Sequence, residues 1–241
     1  MAECANKNKV FLMEACWSRF FPVYQVLRKR LDSKEFGDLK VITAHFGNSI
    51  LAENRFRPDM AATPLNDIGI YALQFALFCV NDQKPTAIHV VGSKDEKTGC
   101  DISANITLEF NGGAQKTYLV YSTEANMPNS ASACCEKGIY EIPRFFWCPT
   151  RLVLIKDPQE AGNAQDEKNL NFPLLDNKDQ YKISNDSGLF YEADHVYECI
   201  HEGKRESPVH PLKTSLLLQE ILIDIRRQLG VKYPQDERIE S

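Results

Sequence analysis

Between residues 86 and 155 the chain alternates apolar and polar residues with a period of two. The segments "AIHVVGS", "DISANITLEF", "QKTYLVYSTEA", "SASACCEKGIYEI" and "RLVLIK" follow one another with short breaks. Alternation sends successive side chains to opposite faces, so each segment reads as a strand with one face on a core. "NGG" at 111–113 offers residues that tolerate positive φ and reads as a hairpin turn. Successive strands joined by short turns predict an antiparallel meander.

The flanks read differently. Tyr24, Leu27 and Leu31 form an apolar stripe at i, i+3 and i+7, which predicts a helix over about 19–31, broken at Gly37. Residues 40–46, "KVITAHF", alternate like a strand, and a long loop, 47–64, follows. The next helix carries Asp67 and Tyr71 and runs to about residue 81. Its later residues are apolar nearly all round, so it is expected to be sandwiched. Residues 157–171 are polar and irregular, an expected exposed loop. Helices over 189–202 and 213–229 close the chain, with Gly203 and Gly230 as stops. At the start, residues 1–9 resemble the last turns of a helix. A short strand over 10–13 is expected next, which needs neighbours to pair with.

The pattern predicts an α+β fold: a large, open, mainly antiparallel sheet with helices on one face. The other sheet face then needs cover, and a second copy of the sheet is the simplest supply, so a homodimer through that face is expected.

Composition narrows the function. With 241 residues, 43% of them hydrophobic and 25% charged, a sizeable core forms without staples. A net charge of -5 with no basic stripe argues against nucleic acid as a partner. The run Arg28, Lys29, Arg30 falls at a helix end, where the dipole favours cations. No apolar run approaches the roughly 18 residues of a membrane span, so no membrane partner is expected. The eight cysteines form no C-x-x-C pair and read as free thiols in a reducing, cytoplasmic compartment. Cys134 and Cys135 point to opposite faces of a strand and cannot chelate one metal together.

The candidate chemistry centres on "PLNDIGIYALQF", residues 64–75. Asp67 and Tyr71, four apart, share one helix face one turn apart. A phenol with a pKa near 10 exchanges protons poorly at neutral pH unless a cation stabilises the phenolate. Asp67 alone pushes the wrong way, so the pair requires a Lys or His from elsewhere. Taken locally, Tyr71 also fits a purely structural phenol. "CWSRFFP", residues 16–22, sets Trp17, Phe20 and Phe21 around Arg19, and reads either as core packing with a snorkelling arginine or as a pocket wall. His195 and His201 are on different faces of one helix and do not make a metal pair. No phosphate-binding or nucleotide-binding glycine motif occurs.

Eight segments in order, "FLMEACWSRFFP", "GDLKVITAHFG", "DIGIYALQF", "QKP", "WCPTRLVL", "YEADHVYECI", "ESPVHPL" and "YPQD", resemble one family. It is that of the trans-1,2-dihydrobenzene-1,2-diol dehydrogenases (dimeric dihydrodiol dehydrogenase, also a D-xylose dehydrogenase), in the glucose-fructose oxidoreductase and inositol dehydrogenase superfamily. The resemblance implies an NADP-dependent oxidoreductase that acts on dihydrodiols or pyranoses by hydride transfer. It implies an N-terminal Rossmann domain that binds NADP and a C-terminal sheet domain that forms the dimer. Residues 1–17 then correspond to a remnant of the Rossmann domain and 18–241 to the substrate and dimerisation domain. The glycine-rich loop and a Glu-Lys-Pro lysine would lie upstream of Met1, and the chain alone would be inactive. By the resemblance, Tyr71 carries the proton, Asp67 orients it or the substrate, and Trp17, Arg19 and Phe46 line or brace the substrate pocket. Ile183 falls where an aromatic pocket residue is expected. Ala62 and Thr63 replace the family's usual glycines, and Asn66 replaces a leucine. The alternative is a non-catalytic, truncated relative that only dimerises.

Overall fold

A computed structural model describes residues 1–49, 56–156, 167–175 and 185–236. Eight strands form one open sheet: β1 (Leu39–Gly47), β2 (Ala87–Lys94), β3 (Asp101–Phe110), β4 (Gln115–Ser122), β5 (Ala131–Cys135), β6 (Gly138–Ile142), β7 (Arg151–Lys156) and β8 (Glu167–Asn171). Their order is β2-β3-β4-β1-β5-β6-β7-β8. The expected α+β fold with a mainly antiparallel sheet is what the chain adopts, but the meander is interrupted. Strand β1 inserts between β4 and β5, parallel to β4 and antiparallel to β5. Alternation sets which face of a strand is buried and leaves its neighbours open, so this insertion could not be read locally.

The helices are α1 (Ala2–Asn8), α2 (Pro22–Ser33), α3 (Ile70–Cys79), α4 (Phe190–His201) and α5 (Leu212–Leu229). Helix α2 starts at Pro22 rather than near Arg19. The residue before a proline avoids helical φ/ψ, and Phe21 is extended at φ -67°, ψ 145°. Residues Trp17–Phe20 make a separate 3₁₀ turn. Gly37 takes φ +77°, the left-handed bend that ends the α2 region and admits β1. Residues 111–113 all take positive φ, as the hairpin reading required.

Two expectations are corrected. Residues 10–13 form no strand; the amide of Leu12 donates to the Arg205 carbonyl at 3.1 Å without a ladder around it. Part of the expected loop over 157–171 is the edge strand β8, paired antiparallel with β7. Its sequence, Glu-Lys-Asn-Leu-Asn, is the charged and polar composition that protects a sheet edge, and it hides the strand from a hydropathy reading.

The buried sheet face carries Ile42, Ala44 and Phe46 of β1, Ile106 and Leu108 of β3, Leu119 and Tyr121 of β4, and Tyr140 of β6. Helix α3 lies on these strands with Leu73, Phe75, Ala76 and Leu77 fully buried, which is why its sequence lacks a polar face. The opposite sheet face has its own apolar row: Val41 is registered against Cys134, Cys134 against Ile139 and Ile139 against Ile155. Tyr118 and Val91 on that face are 52% and 75% exposed. Among the described residues no helix is long and apolar enough to cross a membrane, and all eight cysteines are free thiols.

Candidate active site

The helix bearing Asp67 and Tyr71 begins as a π turn, Leu65–Gly69, that runs straight into α3. Such wide turns cost regular hydrogen bonding and recur at functional sites. This one is held from below. Asp101, fully buried at the start of β3, accepts the Leu65 amide at 2.6 Å and the Tyr121 hydroxyl at 2.8 Å through one carboxylate oxygen. The Tyr121 ring packs against Gly69, where an added Cβ would meet its Cδ1 at 3.0 Å. Glycine between Asp67 and Tyr71 is therefore favoured by close approach rather than by a turn. Burial raises the Asp101 carboxyl, against the opposing pull of its hydrogen-bond donors.

The residues that replace the usual glycines and leucine are used in the same place. The Thr63 hydroxyl lies 2.9 Å from the Tyr233 hydroxyl, and the Asn66 amide donates to that hydroxyl at 3.0 Å. The left-handed position of this loop falls on Ala61, at φ +54°, so Ala62 and Thr63 need no glycine conformation.

Asp67 and Tyr71 both border a cleft of about 330 Å³ with Glu14, Cys16, Ser18 and Asn66. The 3₁₀ turn at 17–20 brings Trp17 to Tyr71, and the indole Nε1–H donates to the Tyr71 hydroxyl at 3.1 Å. That bond uses an acceptor lone pair of the phenol and leaves its own proton to be passed on. The Tyr71 ring lies 5.8 Å from Phe46, and Phe46 stacks on Trp147 at 3.8 Å with the planes 3° apart. Trp17, Phe46 and Trp147 thus form an aromatic wall around the Tyr71 ring, and like Arg19 they do not themselves border the cleft. Trp147 carried no assigned role in the sequence; its segment was visible only as a family-like motif.

Burial, followed by the charges of Cys16, Asp67 and Glu192, pushes the Tyr71 phenol above its ordinary value, and the Trp17 bond offsets only part of this. The phenol therefore stays protonated at neutral pH, and only a cation beside it would favour the phenolate.

Arg19 lies elsewhere. Its guanidinium forks onto Asp82 at 2.8 and 3.0 Å and also reaches the side chain and carbonyl of Gln74 at 3.3 and 3.2 Å. It braces the α3 helix from behind the aromatic wall and does not border the cleft of Tyr71. Ile183 lies outside the described residues.

Glu192, in the first turn of α4, was missed by sequence reasoning because nothing local marks it. One of its carboxylate oxygens is buried without a partner among the described residues, and burial pushes its pKa up to about 7. A carboxyl whose folded pKa exceeds its unfolded value binds more protons when folded, so stability falls as pH rises from 4.5 to about 7. Glu192→Gln is expected to remove that slope. Thermal midpoints at pH 5 and pH 8 should differ less for the variant than for the wild type, with the variant the more stable at pH 8. Equal slopes would remove Glu192 as the cause.

Comparison with known proteins agrees with this architecture. A model of the GFO/IDH/MocA C-terminal domain matches residues 24–141. Trans-1,2-dihydrobenzene-1,2-diol dehydrogenase from Homo sapiens is 37% identical over 235 residues, 97% of this chain and 66% of that protein. The Mus musculus enzyme of the same name is 39% identical over 239 residues, covering 99% of this chain and 68% of its own length. The chain thus spans about two thirds of the relatives it matches. Among solved structures, the fold is shared with an aldose-aldose oxidoreductase from Caulobacter crescentus (TM-score 0.70, 22% identity, 91% of this chain and 62% of that one). It is also shared with levoglucosan dehydrogenase (TM-score 0.72, 14% identity, 92% and 65%). The ordered segments that resemble the dihydrodiol dehydrogenases are therefore inherited rather than coincidental, and the chain belongs to the trans-1,2-dihydrobenzene-1,2-diol dehydrogenase family.

Proposed function

We propose that these residues form the substrate-binding and dimerisation part of an NADP-dependent oxidoreductase acting on trans-dihydrodiols or pyranose sugars such as D-xylose. The observation that carries the reading is the Tyr71 hydroxyl, held by Trp17 at 3.1 Å at the edge of a cleft it shares with Asp67. Residues 1–17 are read as corresponding to the end of a cofactor-binding Rossmann domain. The chain's part in the cofactor site is the mouth formed by Ala62, Thr63, Asn66 and Asp67. It borders a second open cleft of about 360 Å³ that shares Asn66 and Asp67 with the first. Those small and polar side chains leave the mouth open beside Asp67, which supports room for a flat cofactor ring there. When bound, NADP supplies hydride acceptance or donation at the substrate carbon.

This chain's residues do the remainder. The aromatic wall of Trp17, Phe46 and Trp147 holds the Tyr71 ring in place and keeps water from its inner side. Asp67 accepts a hydroxyl of the diol or sugar and orients it. Tyr71 donates its proton to the substrate oxygen during carbonyl reduction. In the oxidative direction it takes that proton back, which requires a cation such as the lysine that the family resemblance assigns to the cofactor domain. Eight free thiols support a reducing, cytoplasmic setting.

The chain's two tryptophans are both in the aromatic wall, so intrinsic fluorescence reads this site. Titration with a trans-dihydrodiol or D-xylose is expected to give a saturable change that the Trp17→Phe and Trp147→Phe variants each reduce. A flat response to every diol and sugar tested would count against the cleft as a substrate site.

The partner is a second copy, through the outer sheet face. The row Val41, Cys134, Ile139 and Ile155, with exposed Tyr118, supports this, because an apolar sheet face is stable in water only when covered. Sedimentation at roughly tens of micromolar is expected to give a dimer, as a stable interface of standard size would. Tyr118→Lys should shift the population to monomer; a wild-type monomer would contradict the assignment.

A further inference from the structure

Glu14, Cys16 and His210 place a carboxylate oxygen, a thiol sulfur and an imidazole nitrogen within 4.8 Å of one another. Two come from the irregular segment before the 3₁₀ turn, and His210 comes from the turn that enters α5. His210 is fully buried and Cys16 is 6% exposed. Glu14 and Cys16 border the cleft of Tyr71, and the Glu14 side chain is 27% exposed. His210 Nε2 lies 3.3 Å from Glu14 Oε2 and 3.2 Å from the Ser215 hydroxyl. The Nε2 edge of a buried imidazole thus faces a carboxylate, with a soft sulfur within reach.

We propose that Glu14, Cys16 and His210 bind a divalent transition ion, zinc by ligand type, with the fourth position open to the cleft. One thiolate, one carboxylate and one neutral imidazole balance the charge of a divalent ion. Mixed sulfur, nitrogen and oxygen donors in a tetrahedral arrangement suit zinc or cobalt and disfavour magnesium or calcium, which take oxygen shells. Bond lengths of about 2.0–2.3 Å set donor atoms of a tetrahedral site roughly 3.3–3.8 Å apart, so the three groups close by about an ångström on binding. Residues 14–16 lie outside helix and sheet, where such a movement breaks no ladder. Binding releases the Cys16 proton, which goes to solvent through the cleft. Three ligands and an open fourth position is the pattern of ions that meet a small molecule rather than of closed structural sites.

The test uses the chain as it is, reduced and free of oxygen. Cobalt(II) added to one equivalent is expected to give thiolate-to-metal charge transfer and the intense visible bands of a tetrahedral ion. Zinc should displace it with a dissociation constant below about 1 µM, weaker than four-ligand structural sites. Cys16→Ala should abolish the charge-transfer band. His210→Gln should weaken zinc by more than about 100-fold, beyond the 10–100-fold usual for a partner that only supports a ligand. A band that survives Cys16→Ala at full affinity, or no band at one equivalent, overturns the site. Should either variant fail to fold, the zinc K-edge of the wild-type chain decides. One sulfur at about 2.3 Å with nitrogen and oxygen neighbours supports the assignment, and a shell with no sulfur or with several overturns it.

Discussion

Tyr71→Phe is expected to lower kcat by about 10²- to 10⁴-fold, measured in a polypeptide that joins a dinucleotide-binding domain to these residues. The substitution keeps the ring, and with it the contacts to Phe46 and Trp147 at 5.8 and 6.5 Å, and removes only the hydroxyl. If that hydroxyl carries the proton, KM changes little, because binding rests on the other residues of the cleft, Asp67 among them. The purely structural reading of Tyr71 gives another result. Losing the Trp17 bond would then cost about 1 kcal/mol of stability and leave turnover nearly intact. Trp17→Phe separates the roles further: it removes the donor that opposes the upward push of burial on the phenol. Its kcat should fall less than that of Tyr71→Phe, with the basic limb of the pH profile moved to higher pH.

Arg19→Met is expected to destabilise the fold by about 3 kcal/mol in urea denaturation, the lower end for a broken buried ion pair. The Arg19 side chain is 1% exposed and its partner Asp82 21%, so water reaches only one side of the pair. Removal strands more than Asp82. The Gln74 carbonyl and side-chain oxygen each lose a donor, and Asp82 keeps only the Thr214 hydroxyl, at 3.0 Å, among the partners described for it here. Arg19→Met combined with Asp82→Asn should recover part of the loss, because it removes the stranded charge while keeping a residue that tolerates the left-handed backbone at φ +56°. The exposed pair Arg57–Asp59 provides the contrast, and Arg57→Ala should leave the midpoint unchanged. An Arg19→Met loss as small as that of Arg57→Ala would mean that the guanidinium is not holding α3.

What could be read from residues alone was mostly what depends on local pattern. Period-two alternation located β2, β3, β4 and β7 and read β5 and β6 as one segment, which the structure folds into a hairpin, and Gly203 and Gly230 marked helix ends because left-handed residues follow helices there. The insertion of β1 between β4 and β5, and the polar edge strand β8, depend on contacts between distant segments, which no window of sequence contains. The same division holds at the site. Asp67 and Tyr71 were visible from their four-residue spacing. The Trp17 bond to Tyr71 spans 54 residues, the Asp101 bond to Leu65 spans 36, and Glu192 is notable only through its burial. Arg19 was singled out as lining or bracing the pocket, and only the fold distinguishes the two, by turning it toward Asp82.

The most direct measurement is hydride transfer itself. The polypeptide carrying a dinucleotide-binding domain ahead of these residues is incubated with NADP and a trans-dihydrodiol or D-xylose, and formation of reduced cofactor is followed alongside oxidised product. The account predicts substrate-dependent reduction of NADP in stoichiometric step with product, lost in Tyr71→Phe. A folded, cofactor-binding, dimeric polypeptide that reduces no NADP with any cyclic diol or sugar would contradict it and leave only the non-catalytic dimerising reading.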